Sequence, residues 1–188
     1  MDISNLLYSA GAVIFGALVS VVISTIFARR EEMRKTRVLT TLALYTQYQS
    51  NEMVTARNNA DKILKENAAR DHPLSYNELY NTLPVEQYDH IARILYFFTQ
   101  IADLYKLHYL EEKLANATFA RYFKYWHETH FHGLWEISHQ HGEPDREWVE
   151  PMNFLARKLN LNRTHTGRIV HPPEELIGEV EQISKQTA

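Results

Sequence analysis

The chain has no cysteine, which removes disulfides and thiol chemistry from any account of it. Only six glycines and six prolines occur. Neither a Gly-x-Ser-x-Gly elbow nor a glycine-rich phosphate cradle is present, so no catalytic nucleophile or nucleotide loop is defined. Charge of one sign is also missing: 20 Lys and Arg stand against 23 Asp and Glu, a net of −3. The cations are scattered outside one cluster, so no nucleic-acid footprint is expected. The most informative absence is local. Between Ile3 and Ala28, about 26 residues, there is no charged side chain, and Arg29, Arg30, Arg34, Lys35 and Arg37 follow at once.

At about 1.5 Å per residue, that stretch exceeds the roughly 20 residues that cross a hydrocarbon core. It therefore predicts a transmembrane helix over residues 3–28. A cleavable signal peptide wants a cationic start, a shorter apolar core and a small-residue cleavage site, and none is found here. Cationic flanks resist translocation, so the expected topology puts the N-terminus outside and the following domain in the cytoplasm at the inner (plasma) membrane. The same cluster is positioned to touch anionic lipid headgroups. Asn116-Ala117-Thr118 and Asn162-Arg163-Thr164 have the glycosylation acceptor pattern, which a cytosolic location makes accidental. Within the membrane stretch Ala12, Gly16, Ser20 and Ser24 recur every four residues. Such a small-residue stripe lets helix backbones approach, predicting association with another membrane protein or a second copy.

Helical periodicity runs through the rest of the chain. Residues 29–49 read as a juxtamembrane continuation of the first helix, with Val38, Leu39, Leu42, Tyr45 and Tyr48 as its apolar side. Ser50 or Asn51 caps a helix bearing Met53, Ala56, Ala60, Ile63, Leu64 and Asn67. A short piece follows around Tyr76–Tyr80, then a long helix from Pro84 to about Lys113, apolar nearly all round and hence central. An aromatic helix from about Ala117 to Gln140 turns Phe119, Phe123, Trp126, His130, Leu134 and Ile137 inward, and another spans about Arg146 to Leu159. The expected fold is all-α, a transmembrane helix leading into a bundle of about five or six helices over residues 50–160. A loop and a C-terminal amphipathic helix are expected over 161–188.

Five of the ten histidines cluster between His127 and His141. Glu128, His132, Glu136 and His139 fall at spacings of four, four and three, which places two carboxylates and two imidazoles on one helix face, a donor set for a divalent metal. Glu136 and His139 also have the Glu-x-x-His spacing of di-iron bundles. Against this, no second such motif exists, and His127-Glu128-Thr129-His130 is one residue short of the zinc-protease pattern. A solvated polar face is the competing outcome, and a pH-sensing role follows only from histidine's ordinary titration. A second polar feature pairs Arg57 with Asp103 in a bidentate structural contact, with Asp89 as the alternative acid. Arg57, Glu52 and Asp103 lining a pocket for an anion is the functional counterpart.

Ser50-Asn51-Glu52-Met53 with Ala56-Arg57, Leu95-Tyr96-Phe97-Phe98 with Ile101-Ala102, Tyr125-Trp126 and Phe154-Leu155-Ala156 resemble a family of uncharacterised bacterial and phage proteins. The resemblance covers roughly residues 40–160. It implies one N-terminal membrane helix joined to a cytosolic helical domain and supplies no activity. Three readings stand side by side. The first is a single-pass helical interaction protein, an adaptor, accessory subunit or regulator of a membrane complex, without catalysis or cofactor. The second is a metal-dependent enzyme, or a metal or pH sensor, using the Glu/His face. The third is a phage exclusion or defence component, resting on the resemblance alone.

Overall fold

The computed structural model describes the backbone of residues 3–159, with side-chain surroundings from residue 20 onward, and over these residues the protein is all-helical. The element order is α1 (Ile3–Gln49), α2 (Asn51–Ala68), α3 (Tyr76–Thr82), α4 (Val85–Lys106), α5 (Glu112–Trp126), a π-helical turn (His127–Phe131), α6 (His132–Gln140) and α7 (Val149–Lys158). Residues 161–188, including the expected amphipathic helix, lie outside the described residues, as do the side chains of Ala12 and Gly16. Among the described residues no helix is long and apolar enough to cross a membrane. Of the stretch from Ile3 to Ala28, the side-chain surroundings are described only from Ser20 onward.

The junction of α1 and α2 is set by Ser50, whose hydroxyl accepts the Met53 amide at 3.2 Å, satisfying one of the orphan donors of a helix start. Ala56 and Ala60 are fully buried. With no bulk beyond Cβ at these two turns, α2 lies close on α4, and this is the most extensive helix pair in the bundle. α4 is the central element: Ile91, Ile94, Leu95, Phe97, Phe98, Ile101, Ala102 and Tyr105 are all buried, so both of its apolar flanks are covered. α7 closes the core with Val149, Met152 and Leu155.

α4 stops at Lys106, earlier than the expected Lys113. The Tyr109 amide donates to the Leu104 carbonyl at 2.9 Å, and His108 takes φ +58°. This is the Schellman closure, which normally places glycine at the left-handed position. The turn returns the chain to α5, capped by the Glu111 carboxylate on the Leu114 amide at 2.7 Å. Gly142, at φ +71°, ends α6 with the same bond pattern, Glu143 N to Ser138 O at 3.0 Å. Here the residue suits the conformation.

The inward side of α1 also differs from expectation. Thr41, Leu44 and Tyr48 are buried, whereas Leu39 and Tyr45 are exposed. Thr41 tolerates full burial because its hydroxyl is satisfied twice, donating to the Arg37 carbonyl at 2.8 Å and accepting the Glu111 amide at 3.1 Å. That second bond pins the α4–α5 corner to α1. Thr41→Val keeps the shape but leaves the Glu111 amide unpaired, and urea denaturation is expected to show a loss of about 1–2 kcal/mol. An unchanged midpoint would show that the corner is held by packing alone.

Candidate functional site

The histidine-rich helix is interrupted at its centre. Between α5 and α6 the His132 amide donates to the His127 carbonyl, five residues back. Residues five apart in a regular α-helix point roughly 140° away from each other, but this wider turn brings them to one side. Three such pairs meet in ring contact: Tyr125 with His130 at 5.7 Å, Trp126 with Phe131 at 5.8 Å, and His127 with His132 at 6.1 Å. π-turns frequently mark functional sites, so the groups on each side of this one carry particular interest.

On the inner side, His130 Nε2 donates to Asp61 Oδ1 at 2.8 Å, and Tyr125 donates to the same oxygen. Lys65 Nζ holds Asp61 Oδ2 at 2.8 Å. The imidazole side chain is 1% exposed. Burial disfavours its cationic form and holds its pKa below the usual value, although Asp61 pulls the other way. For Asp61, burial alone raises the pKa, but the bonds from Lys65, Tyr125 and His130 outweigh it and leave the carboxyl below its ordinary range. The result is a neutral histidine on an ionised aspartate. The Trp126 indole packs on His130 at 5.0 Å, and its Nε1 donates to the Tyr48 hydroxyl at 3.3 Å. This arrangement ties α2, α5 and α1 together and exposes no reactive atom of His130.

On the outer side, Glu128, His132, Glu136 and His139 are all exposed. His132 Nδ1 lies 3.4 Å from Glu136, Lys124 approaches Glu128 at 3.9 Å, and His139 stacks on the Trp135 ring at 5.6 Å. Among the described residues no three His, Asp or Glu side chains gather closely enough to hold a metal ion. His127 lines a cavity of about 330 Å³ with His132, Trp135 and Trp148. Burial and the neighbouring His132 both lower its pKa.

Arg57 and Asp103 are not brought together. The Arg57 guanidinium lies over the Tyr48 ring, 4.1 Å from its centroid, a contact in which the ring's π face replaces a carboxylate. Asp103 is exposed on α4. Asp89 is engaged by Arg93 Nε at 2.6 Å, and Arg93 also reaches Glu52. A polar cavity of about 310 Å³ does border Glu52, but its cation is Arg93, already paired.

A cavity of about 800 Å³ opens between α1 and the α4–α5 corner. Ile26, Arg29, Arg30, Met33, Arg34 and Arg37 form its α1 wall. These positions recur at three and four residues, so they share one helix face. Lys35 lies off it. The opposite wall contains Tyr105, His108, Leu110 and Glu111. Among the described residues no ion pair or side-chain hydrogen bond engages any of the four arginines, and the Arg37 Nε is buried without a partner.

Sequence reasoning named the arginines but placed nothing opposite them, because the facing wall is a turn about 70 residues away, as the Thr41–Glu111 bond measures. The Asp61–Lys65 pair was missed although its i,i+4 spacing could have flagged it, whereas no local signal marks its link to His130. Comparison with family models, curated proteins and solved structures gives no match to this chain.

Proposed function

We propose that the protein is a single-pass, membrane-anchored helical module that acts by binding, with residues 3–28 in the bilayer and the bundle beside it. One observation carries this reading. On α1, Val21 is 63% and Phe27 65% exposed, and Val22, Ile23 and Ile26 are exposed as well. At 100° per residue these side chains point to widely separated sides of the helix, so no single docking face accounts for them, whereas lipid covers every side. The Thr25 hydroxyl is turned onto the Val21 carbonyl at 2.8 Å, the internal satisfaction that a hydrocarbon environment demands. The cationic run from Arg29 follows at the point where such a helix emerges. The buried His130–Asp61 pair fits a structural role, and the exposed Glu/His face fits a solvated surface.

Two measurements test this. Alkaline carbonate extraction of membranes from cells expressing the full chain is expected to leave the protein in the pellet, and deletion of residues 3–28 to release it. Release of the intact chain would overturn the anchor. The absence of cysteine makes single-cysteine reporters clean. If the small-residue stripe pairs two copies, Ser20→Cys and Ser24→Cys cross-link in membranes under oxidant and Val22→Cys does not. Equal cross-linking at Val22 would dismiss the stripe.

A further inference from the structure

We infer that the cavity between α1 and the α4–α5 corner binds the phosphate headgroup of an anionic membrane lipid, an inference that rests on the membrane-anchored reading above. Five cationic side chains and two carboxylates line this space. One of those carboxylates, Glu111, is committed to capping α5 at 2.7 Å. The arginines on the facing wall have no acidic partner among the described residues. Four guanidiniums on one helix face and Lys113 opposite outweigh the remaining carboxylate, Glu112, so the space is net positive and favours an anion. Guanidinium groups match phosphate oxygens in planar, two-point fashion, so phosphate is the anion this wall fits best.

Three features select a lipid over a free phosphate. Ile26 and Met33 share the wall with the arginines, giving apolar surface alongside charge. Ile26 belongs to the apolar stretch itself, so the bilayer end of the cavity is greasy and the far end, at Arg37, is cationic. From Ile26 to Arg37 the helix rises about 16 Å, the depth over which a headgroup and the start of its chains change polarity. Arg37 supplies the second sign of an unmet ligand: its buried Nε lacks any hydrogen-bond acceptor. His108, on the opposite wall, adopts the left-handed backbone that turns the corner back toward α1.

The test uses the full-length chain in nanodiscs of phosphatidylcholine with and without phosphatidylglycerol, read by native mass spectrometry as lipid retained on the ejected protein. Wild type is expected to retain phosphatidylglycerol. Arg34→Gln/Arg37→Gln is expected to retain it at least about tenfold less. Arg29→Gln/Arg34→Gln, whose two positions are exposed and leave folding untouched, is expected to do the same. Lys35→Gln, which removes a charge off the cavity, should match wild type. If Lys35→Gln lost lipid to the same degree, the effect would be diffuse surface charge and the cavity assignment would fall. Competition by soluble glycerol phosphate at equal concentration would assign the site to free phosphate and overturn the lipid. Carbonate extraction of the cell membranes from which each variant is purified reads the anchor separately: a protein that stays in the pellet yet, in nanodiscs, retains no anionic lipid disproves the cavity alone. A protein that is released disproves both.

Discussion

Phe98→Ala is expected to lower the thermal midpoint by roughly 6–20 °C, because emptying a buried phenylalanine site costs about 3–5 kcal/mol and each kcal/mol moves a domain of this size by about 2–4 °C. Phe98 is completely buried. Its ring lies 6.1 Å from Tyr48, 5.5 Å from Phe97, 5.2 Å from Phe123 and 6.1 Å from Phe131. Those partners come from α1, α4, α5 and the π-turn, so one truncation loosens four elements at once. No single neighbour can move into the space without abandoning its own contacts, which keeps the cost near the upper part of the range. Tyr96, two residues away and 73% exposed, is the control. Tyr96→Ala is expected to change stability by less than about 0.5 kcal/mol. Similar melting of the two variants would remove Phe98 from the centre of the core.

Asp61→Ala is expected to destabilise by about 2–3 kcal/mol, the cost of leaving a buried donor unpaired. The group left behind is the His130 Nε2–H. Tyr125 is 42% exposed and Lys65 also reaches solvent, so both recover water and add little. The pH dependence has a definite sign. His130 binds its proton less readily folded than unfolded, so its contribution is complete above the unfolded value of about 6.5 and is lost as pH falls below it. Asp61 is also held down. Its contribution is present above the ordinary carboxylate value of about 3.9 and is lost as pH falls through the folded value.

Urea midpoints measured between about pH 8 and pH 5 should therefore drop in the wild type. The drop should shrink in His130→Gln and persist in Asp61→Ala, because burial, the larger cause, is untouched there. Equal pH dependence in wild type and His130→Gln would place the titration elsewhere.

The parts of the fold legible in the sequence are those governed by local rules. Ser50 caps because its side chain reaches an amide three residues on. Met53, Ala56, Ala60 and Leu64 are buried where their spacing places them, and so are Trp148, Val149, Met152 and Leu155. What escaped depends on distant or unusual geometry. The end of α4 is made by a histidine in a conformation that favours glycine, so no residue announced it. On α1, counting apolar side chains selected Tyr48 correctly but also Leu39 and Tyr45, whereas Thr41 and Leu44 are the other buried positions, Thr41 satisfied by an amide 70 residues away.

The π-turn did leave a trace. Aromatic and imidazole rings repeat at intervals of five in Tyr125-Trp126-His127 and His130-Phe131-His132, a spacing that matches neither helix nor strand. Reading that segment as a regular helix turned Ile137 inward, while Ser138 is the buried residue, accepting the Tyr76 amide at 2.9 Å. The metal face was drawn on the same assumption: His132 and Glu136 do pair, but Glu128 turns to Lys124 and His139 to the Trp135 ring.

From Ala17 to Gln49, α1 contains neither glycine nor proline, the residues at which long helices bend sharply. It is a lever without a joint. The roughly 32 Å from Ser20 to Thr41 form its long arm, Thr41 is held at the α4–α5 corner, and the short arm ends with the Tyr48 ring wedged against Phe97 at 5.0 Å and Tyr122 at 4.9 Å. Torque applied along the shaft passes to the Thr41 contact and then to those rings. Tilt or rotation of the shaft is therefore mechanically indistinguishable, to the bundle, from a change in its own core.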